Sequence, residues 1–157
     1  MLAAHGWDEG GTKAQGIGGH DDMWFALRDA MWPQARDVQF EEIDEILARA
    51  DHAGFHARDA AGRAVGFAEA SLRHDYVSAC ETSPVGFLEG IYVDPPVRRQ
   101  GVAKALVDQV VAWTRLQGCR ELASDAAIDN LTSHQMHAAL GFNETARVVF
   151  FKRMLAE

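Results

Sequence analysis

The stretch from residue 85 to residue 117 constrains the fold more than any other part of the sequence. Apolar residues dominate Val85–Val93, which predicts a buried β-strand, and the prolines at 95 and 96 must end that strand. A long helix is predicted over 101–117, because apolar residues recur on one stripe and Gly118 follows as a natural stop. That stripe consists of Val102, Leu106, Val110 and Trp113. A strand, a tight turn and a packed helix in this order are typical of an α/β domain with a central sheet.

The turn between this strand and this helix has the composition of an anion-binding site. Backbone N–H groups at a helix N-terminus point outward, and the helix dipole adds partial positive charge. Gly101 and Ala103 keep side-chain bulk away from that backbone, and positive charge comes with Arg98, Arg99 and Lys104. The sequence contains neither a Walker motif nor a G-x-G-x-x-G motif, so those two phosphate-binding classes are excluded. The alternative is an ordinary surface turn that carries basic residues.

The remaining segments alternate between helical and strand-like patterns. Residues 1–19 hold six glycines and are predicted to form a weakly ordered leader, with a short strand near 12–17. Two amphipathic helices should follow, the first ending at Pro33 and the second including Phe40–Leu47. Later elements are predicted at 53–58 and 63–73 (a β-hairpin), 75–84 (a loop), 120–124 (a strand), 130–140 (a helix) and 144–154 (a last strand). We therefore expect a single α/β domain over residues 20–157.

Composition and charge exclude several classes of protein. The chain has 157 residues, of which 48% are hydrophobic, and this balance suits one globular domain. Its net charge of −8 disfavours nucleic acid as a partner. No apolar run approaches the roughly 20 residues that cross a bilayer, and no secretory signal is expected. Cys80 and Cys119 are too few for a disulfide framework, which predicts free thiols and a cytoplasmic location.

Two motifs resemble the GNAT superfamily of N-acetyltransferases. Arg98-x-x-Gly101-x-Ala103, after the strand Ile91-Tyr92-Val93, is similar to the acetyl-CoA pyrophosphate loop of that superfamily. The segment from Asn130 to Leu140-Gly141-Phe142 resembles its later helix and glycine–phenylalanine turn. The resemblance is closer still to the aminoglycoside 6′-N-acetyltransferases. It is carried by Met31-Trp32-Pro33, Gly66 through Val77, Ser83-Pro84, Phe87 through Ile91, Gly118 through Glu121 and Ala123-Ser124-Asp125.

The resemblance implies a fold, a co-substrate and a set of binding residues. The implied fold is one GNAT-like domain whose mixed, mostly antiparallel sheet is flanked by helices and splayed where acetyl-CoA binds. The implied cofactor-binding residues are Ile91, Val93, Arg98, Arg99, Gln100, Gly101, Val102, Ala103, Lys104 and Asn130. The implied aminoglycoside-binding residues are Trp32, Tyr76, Glu81, Glu89 and Asp125. The subgroup also implies a homodimer, and the apolar segment 148–151 could serve at its interface or in the core.

The acceptor side requires groups that bind an ammonium ion and then remove its proton. Carboxylates and aromatic faces suit a polar, multiply cationic sugar, and only the deprotonated amine can attack a thioester. Glu89 and Asp125 are the candidates for binding the ammonium and relaying its proton. The backbone N–H of Val93 is the candidate donor to the developing oxyanion. His137 stands where many superfamily members carry the tyrosine that protonates the leaving thiolate, so it is either that acid or a packed helix histidine.

Other chemistries find little support in the residues. His134 and His137 lie three residues apart on a predicted helix, but no third ligand is apparent, so no metal is expected. Ser124 lacks a G-x-S-x-G elbow, and Cys119 lacks the partners of a catalytic thiol. Two alternatives remain beside the aminoglycoside enzyme. They are an acetyltransferase for another polyamine or a protein amine, and a non-catalytic module that binds acyl-CoA.

Overall fold

A five-stranded sheet forms the centre of the molecule in the computed structural model, which describes residues 12–156. Its strands are β1 (Lys13–Gly16), β2 (His52–Arg58), β3 (Ala64–Arg73), β4 (Val85–Val93) and β5 (Leu122–Ser124). The helices are α1 (Asp22–Met31), α2 (Arg36–Ala48), α3 (Val102–Leu116) and α4 (Leu131–Ala139). The strands lie in chain order; β1 to β4 pair antiparallel, and β5 pairs parallel to β4. The predicted single α/β domain with a mixed, mostly antiparallel sheet is confirmed.

Helices cover both faces of this sheet. A Cβ at Gly54 would point at the Trp24 ring of α1, whereas the next residue, Phe55, belongs to the apolar cluster formed with α3. Successive strand residues point to opposite faces, so α1 and α3 lie on opposite sides of the sheet. The α3 cluster includes Val102, Leu106 and Val110 of the predicted stripe, and the α1–α2 cluster is built around Trp24, Leu27, Ile43 and Phe67.

The pairing between β4 and β5 is short, and this opens the sheet at one edge. β5 pairs only with Gly86–Leu88, although β4 continues to Val93. The Asp94 N–H donates to the carbonyl of Val65 on the β3 side at 2.9 Å. Because antiparallel ladders alternate, the N–H groups of Ile91 and Val93 point away from β3, toward the gap beside β5. The sheet is therefore splayed where the sequence predicted acetyl-CoA to enter.

The predicted last strand, at 144–154, is wrong. Residues 142–156 form neither helix nor strand, and their side chains are largely exposed, with Phe150 at 89% and Phe151 at 93%. A local apolar pattern makes a strand only where a sheet edge is available to pair with it, and within residues 12–156 this segment pairs with none. The possibility that 148–151 belongs to the core is excluded with it.

Most other boundaries differ from the predictions by one or two residues. β5 begins at Leu122 rather than at residue 120, and α1 ends at Met31, just before the predicted stop at Pro33. The short strand expected near 12–17 is β1, at the edge of the sheet. The rest of the proposed leader, residues 1–11, lies outside the described residues. No helix within residues 12–156 has the length and apolar character needed to span a membrane.

Candidate active site

An open cleft of about 1050 Å³ lies where β4 and β5 separate. It joins the turn before α3, the free end of β4, the end of β5 and one face of α4. The predicted site residues that line it are Glu89, Ile91, Val93, Arg98, Arg99, Gly101, Ala103, Lys104, Asp125, Asn130 and His137. Its volume is at the upper end of the range of about 300–1,000 Å³ that is usual for small-molecule sites.

The backbone of the turn before α3 is shaped to receive an anion. Arg99 and Gly101 both adopt left-handed conformations, with φ of 60° and 83°. Left-handed residues next to a helix start make successive N–H groups converge into a concave anion site. The Val102 side chain is buried, so this residue can offer only its N–H to a ligand. The glycine is required at 101 because a side chain is strained at that φ.

The basic side chains of this turn are partly engaged with the protein. Arg98 Nε donates to the Val93 carbonyl at 2.8 Å, which ties the turn to the end of β4. Lys104 pairs with Asp108 one helical turn later at 2.7 Å, and the Gln100 amide donates to the carbonyl of Pro96. Neither Gln100 nor Val102 lines the cleft with its side chain. The cradle therefore relies on backbone N–H groups more than on paired charge.

Glu89 occupies a β-bulge in β4. Glu69 and Ala70 on β3 pair with Gly90 and Leu88, which leaves Glu89 without a partner across the ladder. Bulges re-aim side chains, and Glu89 is exposed between two buried neighbours. Its carboxylate accepts a hydrogen bond from Ser71 at 2.5 Å and pairs with Arg73 at 2.9 Å. A substrate cation binding at Glu89 would share it with Arg73.

Asp125 carries the free carboxylate of the cleft. It follows Ser124, the last residue of β5, and its side chain is exposed toward the cleft. Within the described part of the chain it makes no hydrogen bond or ion pair. It can therefore take a ligand ammonium without first losing a protein partner.

Trp32 caps α1 and lies against β4 beside Glu89. A Cβ added at Gly90 would collide with the Trp32 ring, and Phe67 meets the ring edge-on at 5.8 Å. The guanidinium of Arg28 lies 5.3 Å from the ring centre. The structure thus places this predicted aromatic wall within one residue of the bulge, although Trp32 does not line the cleft itself.

A buried charge network supports that end of α1. Arg28 is 3% exposed; it donates to Glu42 at 2.7 Å, and its Nε lies 3.0 Å from the Glu69 carboxylate without hydrogen-bond alignment. Glu69 is 5% exposed and accepts from the Trp24 indole at 2.9 Å. Burial raises the pKa of Glu69 to about 7, which outweighs the lowering by Arg28 and Trp24.

Tyr76 and Glu81 are not brought into the cleft. Both are exposed on the loop between β3 and β4, with Tyr76 at 86%. The loop is held by Glu121, whose carboxylate accepts the N–H groups of Glu81 and Thr82 and the Thr82 hydroxyl. These hydrogen bonds lower the pKa of Glu121. The acceptor-binding roles of Tyr76 and Glu81 stay predictions.

His137 is fixed between α4 and the end of β5. Its Nδ1 lies 2.8 Å from the Ser133 carbonyl, and its Nε2 lies 2.8 Å from the Ser124 hydroxyl oxygen. Phe142 packs edge-on against the ring. At the N-terminus of the same helix, the side-chain oxygen of Asn130 caps α4 by accepting from the Ser133 N–H. The side-chain NH₂ of Asn130 makes no hydrogen bond within the described residues and is left for a ligand.

Sequence reasoning missed the partners of the predicted residues. Ser71 and Arg73 bind Glu89, and Ser124 binds His137. Only the closeness of Ser124 to Asp125 offered a signal, because the other contacts join residues far apart in the chain. No group of three or more His, Cys, Asp or Glu residues within 12–156 is arranged to hold a metal ion.

Comparisons with known proteins agree with this geometry. Residues 21–142 match the acetyltransferase (GNAT) family. The aminoglycoside N(6′)-acetyltransferase type 1 of Serratia marcescens is 53% identical over 139 residues, which are 87% of this chain and 95% of that protein. The structure of the aminoglycoside antibiotic 6′-N-acetyltransferase AAC(6′)-Ih from Acinetobacter baumannii superposes with a TM-score of 0.86 at 43% identity, covering 93% of this chain and 100% of that one. AAC(6′)-Iy in complex with the bisubstrate analogue CoA-S-monomethyl-acetylneamine gives 0.87 at 43% identity, covering 92% and 99%. This chain belongs to the GNAT family of acetyltransferases.

Proposed function

We propose that this protein transfers the acetyl group of acetyl-CoA to the 6′-amine of aminoglycoside antibiotics, by direct attack in a ternary complex. The observation that carries the proposal is a single cleft that joins a backbone anion cradle to the carboxylates of Glu89 and Asp125. The relatives named aminoglycoside N(6′)-acetyltransferase support the substrate class, since they match more than 80% of the chain. One alternative is an acetyltransferase whose acceptor is another polyamine or a protein amine. The other is a module that binds CoA without turnover.

At the donor end, acetyl-CoA supplies a thioester, which is an activated acyl group. The N–H groups of residues 99–104 suit its pyrophosphate, since they are preorganised and need little reorganisation. The gap beside β4 offers the backbone of Ile91 and Val93 to the pantetheine arm, and Asn130, whose amide NH₂ has no partner within the described residues, lines the same cleft. The N–H of Val93 points into this gap and is the proposed donor to the developing oxyanion.

At the acceptor end, Asp125 binds the ammonium of the substrate and accepts its proton, directly or through one water. Its carboxylate is unpaired within the described residues and sits at the mouth of the splayed strands. Glu89 adds a second negative charge that Arg73 partly neutralises, so its main role is to orient the cation. Trp32, beside the bulge, offers an aromatic face to a sugar ring.

The direct test measures acetyl-CoA-dependent thiol release. We expect turnover with kanamycin or tobramycin and none with a matched aminoglycoside that carries a 6′-hydroxyl instead of the amine. Spermidine and peptide amines, assayed in parallel, distinguish a different acceptor class. Calorimetric binding of CoA without turnover on any amine would contradict the proposal and favour a binding module.

A variant pair tests the role of Asp125. Asp125→Asn should lower kcat by about 10²-fold or more, because it removes the proton acceptor, while the KM for acetyl-CoA stays within a few-fold. Asp129→Asn is the matched control, because Asp129 is exposed on the same connection but does not line the cleft. Equal losses of kcat and acetyl-CoA affinity in Asp125→Asn would remove Asp125 from the acceptor side.

The protein is proposed to act as a homodimer in the cytoplasm. A second copy is the occupant that best explains the segment 148–151, because its four consecutive apolar residues are 59–93% exposed and because β5 ends the sheet with an unpaired edge. Phe150→Ser/Phe151→Ser should shift the mass measured by light scattering from dimer to monomer, whereas Leu116→Ser on α3 should not. A wild-type monomer at micromolar concentration would contradict the dimer.

Free thiols at Cys80 and Cys119 suit a reducing compartment, which cell fractionation can check.

A further inference from the structure

Ser124 and His137 form a side-chain pair on one wall of the cleft. Ser124 is the last residue of β5, His137 lies on α4, and 2.8 Å separate the hydroxyl oxygen from Nε2. Both line the cleft at the point where β4 and β5 separate. A hydroxyl within hydrogen-bond reach of an imidazole that a third group orients is a pair able to move protons.

The Ser133 carbonyl determines which ring nitrogen of His137 carries the proton. A carbonyl can only accept, so at 2.8 Å from that oxygen Nδ1 must be the N–H nitrogen. In the neutral ring Nε2 is therefore bare and accepts the Ser124 O–H. It follows that neutral His137 holds no proton it can release into the cleft, because its single N–H points at its own helix.

The carbonyl of Leu88 completes a second arrangement of the same atoms. It accepts from the Ser124 hydroxyl at 3.1 Å, and Leu88 is the residue paired with Ser124 in the β4–β5 ladder. When His137 takes a second proton, Nε2 becomes a donor to Ser124, and the serine hydrogen turns to Leu88 or to an acceptor in the cleft. One hydroxyl hydrogen thus has two positions, and the protonation of His137 selects between them.

We infer that Ser124 is the residue that delivers the proton to the leaving sulfur of CoA, with His137 as its source. This inference rests on the proposed function. As the C–N bond to the amine forms and the thioester C–S bond breaks, the sulfur takes the Ser124 hydroxyl proton. The Ser124 oxygen takes the Nε2 proton of the imidazolium in return. The thiolate leaves as a thiol, the hydroxyl is restored, and His137 becomes neutral until solvent returns a proton.

The surroundings of the pair are compatible with this cycle. The edge of Phe142 packs on the ring from the chain that follows α4, and the Ser133 hydroxyl lies 3.2 Å from Nδ1. The acidic residues that line the same cleft are Asp125, next in sequence to Ser124, and Glu89 on β4, which Arg73 neutralises.

The first test reads the tautomer without any substrate. In the unliganded protein labelled with ¹⁵N at histidine, the His137 signals, identified by their loss in His137→Gln, should show a protonated Nδ1 and a bare Nε2 once the ring is neutral. In Ser124→Ala the Nε2 resonance should move, because its hydrogen-bond donor is gone. A neutral ring protonated at Nε2 would overturn the inference.

The second test measures the proton transfer. In single-turnover experiments Ser124→Ala should lower the acetyl-transfer rate by about 10²-fold while CoA binding changes less than threefold, and Ser124→Thr, which keeps the hydroxyl, should recover most of the rate. Rates in H₂O–D₂O mixtures should curve for wild type, since two protons move, and be linear for Ser124→Ala. The double variant Ser124→Ala/His137→Gln should be no slower than the slower single variant.

The outcomes separate the inference from the proposed function. A Ser124→Ala rate within threefold of an active wild type would overturn the relay and leave the acetyltransferase function intact. A wild type that transfers no acetyl group to any aminoglycoside would remove the proposed function and the relay with it.

Discussion

The buried carboxylate of Glu69 should make the stability of this protein fall as the pH rises from about 4.5 to about 7. Burial raises its pKa in the folded state from an ordinary 4.5 to about 7, although Arg28 lies 3.0 Å away. Between these two pH values the folded protein holds a proton that the unfolded chain has lost, so unfolding becomes easier as the pH increases. The difference corresponds to about 3 kcal/mol, which is fully developed above the folded-state pKa and absent below pH 4.5.

Glu69→Gln isolates this contribution. Glutamine resembles the protonated acid and still accepts from the Trp24 indole, so the variant should lie within about 1 kcal/mol of wild type at pH 5. It should exceed wild type by about 3 kcal/mol at pH 8, where wild type holds a buried negative charge. Urea unfolding at half-unit steps from pH 5 to 8 gives both curves, and Glu45→Gln on the exposed side of α2 is the matched control. Parallel curves for wild type and Glu69→Gln would refute the reasoning.

Three further substitutions test contacts near β4, in the turn before α3 and in the loop before β4. Gly90→Ala should raise the KM for aminoglycoside more than that for acetyl-CoA, because its new methyl group displaces the Trp32 ring; an unchanged acceptor KM would contradict that placement. Arg98→Met should weaken CoA binding by about tenfold in calorimetry, because the turn loses its bond to the Val93 carbonyl, and unaltered affinity would assign that bond no role in the cradle. Glu121→Gln should loosen the loop before β4 and increase its amide hydrogen exchange, whereas unchanged exchange would show that other contacts hold the loop.

The anion turn could be predicted from sequence because its determinants are local. The prolines that end β4, the glycine at 101 and the apolar stripe of α3 all act within one stretch of chain. The structure agrees with each of them, and it adds that Lys104 is paired with Asp108 and that Arg98 donates to the Val93 carbonyl. Local steric rules therefore fixed the donor end of the cleft in advance.

The acceptor end could not be predicted to the same depth, because its contacts join distant residues. Glu89 meets Arg73 only through the bulge, which depends on how β3 and β4 align. Glu69 lies in a strand where a charged residue suggests a solvent-facing position, yet it is 5% exposed because Arg28 and Trp24 come from another element to meet it. The hydrophobic periodicity of a strand does not predict such contacts between distant residues.

The segment 144–154 illustrates the converse error. Its apolar run satisfies the local rule for a strand, but a strand also needs a pairing partner, and within residues 12–156 this segment pairs with no strand. Because this apolar run is exposed in the single chain, we propose that a second copy covers it. A wrong structural prediction and the dimer proposal thus derive from the same residues.

The register of β4 connects the two ends of the cleft. Leu88 is buried in the core while its carbonyl faces Ser124, Glu89 at the bulge lines the cleft, and Gly90 leaves room for Trp32. Beyond the bulge, the backbone N–H groups of Ile91 and Val93 face the gap that would receive the pantetheine arm. Because side chains alternate with a period of two, a slip of one residue would send each of these groups to the opposite face. The alignment of a single strand, rather than the net charge of −8, therefore decides whether an anionic donor and a cationic acceptor meet.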